Sequence, residues 1–71
     1  MKAFKWIERA ANLGNPLAEF NLGYLYHTGK GIIEDWAEAA IWIKKALAKG
    51  EYEAEKYFYS LPLSTREKLK I

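Results

Sequence analysis

The chain has 71 residues, 51% of them hydrophobic and 15% aromatic, enough apolar material for one small core and too little length for two. Its 11 Lys and Arg are interspersed with 9 Asp and Glu for a net charge of +2, which leaves no basic face for nucleic acid. The absence of cysteine and the presence of one histidine, His27, exclude disulfide staples, a thiolate nucleophile and a zinc-type ligand cluster, so no metal and no cofactor is expected.

The first helix is expected from Lys2 to Leu13, with Ala3, Trp6, Ile7, Ala10 and Leu13 on its apolar stripe. Gly14 ends it, and Asn15-Pro16 supplies an N-cap and a first-turn proline for a second helix to His27. That helix buries Ala18, Leu22, Gly23 and Tyr26. A glycine inside a helix is unfavourable by up to about 1 kcal/mol against alanine, so Gly23 implies a closely approaching backbone. Thr28 to Glu34 carries two glycines and no helical period, and reads as a loop. Asp35 and Glu38 make a capping-box start for a third helix, with Ala39, Trp42, Ile43, Ala46 and Leu47 buried, up to the stop at Gly50. Gly14 and Gly50 are both expected at positive φ. A fourth helix follows from Glu51 to Ser60, Pro62 breaks the chain, and Ser64-Thr65-Arg66-Glu67 is a second capping box opening a short helix through Leu69 to Ile71. The longest apolar run, Ala39 to Ile43, is five residues, against about 20 for a membrane span. The expected location is cytoplasmic by default, although a removed export signal would leave no trace.

Between residues 3 and 19, an offset of 36 residues pairs seven identities: Ala3/Ala39, Trp6/Trp42, Ile7/Ile43, Ala10/Ala46, Gly14/Gly50, Ala18/Ala54 and Glu19/Glu55. A period of this size marks helix pairs that bury their apolar faces by stacking. The positions Ala18, Leu22, Gly23, Tyr26, Gly29, Gly31, Ile32, Asp35, Trp36, Ala39, Trp42, Ile43, Lys45, Ala46 and Gly50 resemble the Sel-one-like repeat (SLR), a relative of the tetratricopeptide repeat. Departures are Glu38, where Lys is common, and Leu47 in place of the second alanine. The resemblance implies an all-α, right-handed α/α superhelix of about five helices. Residues 1–71 then form a single repeat domain, with 3–14 the second half of a repeat, 16–50 a complete repeat, 51–60 a degenerate half repeat and 61–71 a C-terminal cap helix.

Nucleophilic and phosphate chemistry find little support in the residues. Gly29-Lys30-Gly31 lacks the Walker spacing and the Ser or Thr that follows its lysine. His27 with Glu19 or Glu34 as orienter is a minimal acid–base pair, Ser60 and Ser64 have no histidine near them, and a lone histidine at a helix end is more often a capping side chain. The resemblance instead implies a non-enzymatic scaffold for a protein or peptide partner. Trp6, Tyr26 and Trp42 occupy its packing positions. Leu17, Phe20, Tyr24 and His27 form a different stripe of the second helix, at positions that match the concave lining of tetratricopeptide-like stacks. Glu53 and Lys56 flank them, by the same offset from Leu17 and Phe20. This stripe either receives a peptide or partner helix or packs on the neighbouring first helix. The alternative function is a structural piece that self-assembles as a homo-oligomer, or the C-terminal fragment of a longer repeat array.

Overall fold

The protein is described here by a computed structural model covering residues 2–69. The side chain of Ala3 and the expected helix end at Ile71 lie outside the described residues. Five helices follow one another: α1 (Lys2–Asn12), α2 (Pro16–Thr28), α3 (Trp36–Ala48), α4 (Tyr52–Ser60) and α5 (Leu63–Leu69). Among the described residues there is no strand, so the expected all-α architecture stands.

The helix ends are built locally. Asn15 Oδ1 accepts the Ala18 N–H at 3.0 Å, with Pro16 in the first turn of α2. The Asp35 carboxylate accepts from the N–H groups of Ala37 and Glu38 at the start of α3. The Glu51 carboxylate does the same for Ala54 at 2.7 Å, opening α4. At the C-terminal ends, the Gly14 N–H donates to Ala11 O at 2.9 Å and the Asn15 N–H to Ala10 O at 3.1 Å; 36 residues later the Gly50 N–H donates to Leu47 O and the Glu51 N–H to Ala46 O, at 3.0 and 3.1 Å. This paired 6→1 and 5→2 pattern requires a left-handed residue, and Gly14 and Gly50 supply it with φ of 90° and 70°.

The second capping box does not form. Ser64 lies inside α5, which already begins at Leu63, and the Pro62 carbonyl accepts from both Thr65 and Arg66 at 3.0 Å. The residue before a proline is driven to extended backbone, and Leu61 at φ −76°, ψ 147° obeys this. Proline's own fixed φ then makes it the natural helix opener, two residues ahead of the serine.

Two clusters form the core. Ala11, Ala18 and Leu22 join α1 to α2, with Ile7, Phe4 and Trp42 packed on them; Ala39, Ile43, Phe58 and Leu69 join α3, α4 and α5. Tyr26 touches both. α2 and α3 approach closely at Gly23, where an added Cβ would stand 2.6 Å from Ile43 Cγ1 and 3.2 Å from Ala39 O. The expected close approach is therefore present.

The apolar stripe of α1 needs correction at both ends. Trp6 is 69% exposed and is not a core residue, because Trp42 rests on α1 and α2 whereas no described helix lies beside Trp6 in the same way. Leu13 is 82% exposed: α1 ends at Asn12, and the turn at Gly14 swings Leu13 outward. Phe4, by contrast, is half-buried and meets the Tyr26 ring edge-on at 6.1 Å.

Candidate partner-binding site

The outward stripe of α2 faces α4 across a shallow groove. Its centre is a set of aromatic rings, of which sequence spacing linked Phe20 and Tyr24 but not Tyr57: Tyr57 of α4 lies 5.6 Å from Phe20 and 5.3 Å from Tyr24, both edge-on, and Phe20 and Tyr24 are 6.3 Å apart on their own helix. All three are half-buried. Phe20, Glu53, Lys56, Tyr57 and Ser60 surround a cavity of about 270 Å³. The structure thus brings Phe20 together with the two flanking charges, places Tyr24 beside them through Tyr57, and leaves Leu17 one turn away, 49% exposed and outside this cavity. At the far end, the Lys30 ammonium donates to the Tyr24 hydroxyl at 3.1 Å and rests 5.4 Å above its ring.

Tyr57 escaped the sequence reading because its counterpart at the 36-residue offset is Asn21. The usable signal was its place directly after Lys56 and before the buried Phe58, which turns it toward α2. The repeat itself carried no information there.

His27 closes the groove. Its Nδ1 shares a hydrogen bond with the Tyr57 hydroxyl, its ring lies 4.8 Å from Trp36, and Nε2 is buried without a partner among the described residues. Neither carboxylate considered as its orienter serves it. Glu19 binds Lys49 at 2.9 Å, and Glu34 Oε2 accepts the Trp36 indole N–H at 2.8 Å. Burial pushes the His27 imidazole below its usual 6.5, against the opposing Glu34 charge; burial also raises the Tyr57 phenol above 10, helped by Tyr24.

The His27 shift has a definite sign. A depressed folded-state value means that the unfolded chain takes up the proton first, so stability present above pH 6.5 is lost as pH falls through the folded value. Denaturant titrations between about pH 7 and pH 5, above the main carboxylate range, should therefore show falling stability in the native chain and a flatter profile in His27→Gln. Identical slopes would assign the loss to other groups.

The two departures within the repeat pattern are explained by contacts. Glu38 Oε2 accepts the Trp42 indole N–H at 3.2 Å, so it orients that ring rather than completing the capping box; the Asp35 N–H donates instead to Tyr26 O at 2.9 Å. Leu47 fills space beside Ala39, Ile43 and Phe58. Among the described residues no helix is long and apolar enough to cross a membrane.

Comparison with known proteins agrees with the all-α repeat fold. The chitin synthase regulator SKT5 of Saccharomyces cerevisiae is 43% identical over 53 residues, which is 75% of this chain and 8% of that protein's length. No solved structure matches the chain. The Sel1 repeat pattern matches residues 1–15 and again 16–51, the second match opening at the Asn15-capped proline and spanning the glycine-terminated helix pair α2–α3. With its helix pairs, its duplicated glycine turns and both matches in register, the chain belongs to the Sel1 repeat family, whose repeats indicate a protein–protein interaction module.

Proposed function

We propose that the chain is a non-catalytic adaptor that holds a peptide or partner helix in the groove between α2 and α4. The observation that carries this reading is the half-buried aromatic set Phe20, Tyr24 and Tyr57 opening onto a cavity edged by Glu53 and Lys56. Preformed aromatic surface with a charged rim is where a partner's anchor side chain gains most. Leu17 and His27 extend the strip to either end. The yeast relative is named as a regulator of another protein, chitin synthase, which is in keeping with an adaptor.

The test is capture of partners from native lysate by the intact chain, by Phe20→Ala/Tyr24→Ala, and by the rim variant Lys56→Glu, each first checked for helical circular dichroism. The double variant removes packing on Tyr57 as well as surface, so the exposed Lys56 provides a change that leaves the core untouched. Partners identified with the intact chain should bind the double variant more weakly by about 2 kcal/mol, roughly 30-fold. Retention of every partner by both folded variants would overturn the groove. It would favour the second reading, self-assembly through α1, for which the observation is the open face of Trp6 and Leu13 beside a cavity of about 520 Å³. Mass that falls on dilution in sedimentation is the mark of that alternative.

A further inference from the structure

A second groove lies on the other side of α3. Ala39, Ile43 and Ala46 are its buried stripe. Ile41, two residues from Ile43, is turned roughly 200° away by the 100° helical step and is 47% exposed. α5 runs beside this outer face, and together they enclose a cavity of about 380 Å³, floored by Trp36, Ala40, Ile41 and Leu69.

The charges around this floor are of one sign. Lys44 and Lys68 line it and no carboxylate does. Among the described residues the one ion pair is Lys49 with Glu19, so neither lysine has an acidic group within 4.0 Å. Lys68 rests 5.8 Å above the Trp36 ring; of the two acids that precede Trp36, Asp35 accepts from the N–H groups of Ala37 and Glu38, and Glu34 is engaged by the Trp36 indole N–H. The groove is also no by-product of repeat stacking. The 36-residue offset puts Lys5 where Ile41 stands and Glu8 where Lys44 stands, so α1 lacks the counterparts of both Ile41 and Lys44.

We propose that this groove between α3 and α5 docks an acidic amphipathic peptide, laying an apolar side chain on Ile41 and carboxylates against Lys44 and Lys68. An apolar floor with unpaired ammonium groups at its edge favours a partner that supplies both complements at helical spacing. The concave shape suits a side chain better than a flat lipid surface. This site is separate from the α2–α4 groove.

The probe is a fluorescein-labelled helical peptide with leucines at i, i+3, i+4 and i+7 and glutamates at the flanking positions; its partner control has lysine at each glutamate. Anisotropy titration of the full chain should give a Kd below about 1 mM for the acidic peptide and binding at least about 10-fold weaker for the basic one. Amide shifts should appear at Ile41, Lys44 and Lys68 and not at Phe20 or Tyr57. Lys44→Glu/Lys68→Glu should lower affinity about 10-fold and reverse the preference between peptides. Ile41→Lys, with Lys5 as its counterpart in α1, should fold and also bind about 10-fold more weakly. The proposal is overturned by equal binding of both peptides, by shifts confined to the α2–α4 groove, by no binding at about 1 mM, or by binding to phosphatidylserine vesicles without binding of the acidic peptide.

Discussion

Ile43→Ala is expected to lower the unfolding free energy by about 2 to 5 kcal/mol, and the size of the loss should depend on residue 23. Ile43 is fully buried and joins α3 to α4 and α5. Its Cγ1 occupies the space that a Cβ on Gly23 would need, at 2.6 Å. Gly23→Ala alone should therefore cost about 1 to 3 kcal/mol by overpacking, even though alanine is the better helix former. In the double variant the two faults meet: the methyl added at 23 enters the cavity opened at 43. The combined loss should fall short of the sum by at least about 1 kcal/mol. Urea denaturation followed by helical circular dichroism measures all three, with a stabilising osmolyte where a variant is too weak. A domain of this size has only about 4 to 10 kcal/mol in total, so Ile43→Ala brings the fold near its limit. Strict additivity would show that α2 and α3 can move apart freely at Gly23.

Lys49→Ala is the second substitution with a large expected effect, although Lys49 itself is on the surface. Its ammonium donates to Glu19 Oε2 at 2.9 Å and to Gly14 O at 2.8 Å, tying the end of α3 to the start of α2 and the turn after α1. Glu19 is only 2% exposed, and its second oxygen finds no donor among the described residues. Removing the lysine strands a carboxylate out of water. The half-exposed side of the pair moderates the loss, which should be about 2 to 3 kcal/mol rather than the few tenths of an exposed pair. Glu19→Gln in the same background removes the stranded charge and should recover about half of it. A Lys49→Ala loss below about 0.5 kcal/mol, measured by the same denaturation, would reduce the contact to an ordinary surface ion pair.

Much of the fold was legible because it is encoded in short-range chemistry. Asn15 and Asp35 cap helices from one residue outside them, and Gly14 and Gly50 reverse the chain by adopting a conformation that side chains resist. Such signals act over a few residues, and they repeat when the sequence repeats. The same locality explains the miss at Ser64, where two local signals competed and the fixed φ of Pro62 prevailed. Glu19 shows the limit of the repeat. It is identical to Glu55 at the 36-residue offset, yet Glu19 is buried against Lys49 and Glu55 is exposed.

The candidate site was visible in part. The stripe from Leu17 to His27 follows from helical spacing on one element, and the offset carried it to Glu53 and Lys56. Tyr57, which packs against Phe20 and Tyr24 and bonds His27, is paired by the offset with Asn21, a residue outside that stripe, so the offset did not point to it.

The sequence by itself determined which segments are helical, where glycine and proline end or begin them, and that the helices pair at a 36-residue period. These are consequences of backbone dihedrals, capping groups and apolar spacing within single elements. Only the tertiary structure decided what each apolar face meets. Trp6 and Trp42 occupy the same place in the same pattern, and one is open while the other is packed, because burial depends on whether a neighbouring helix is present. Leu69 closes the second cluster, Tyr57 completes the aromatic groove and Lys49 satisfies a buried carboxylate, each across 26 residues or more of chain to the contacts at Ile43, Phe20 or Glu19. No local signal spans such distances; packing between helices does.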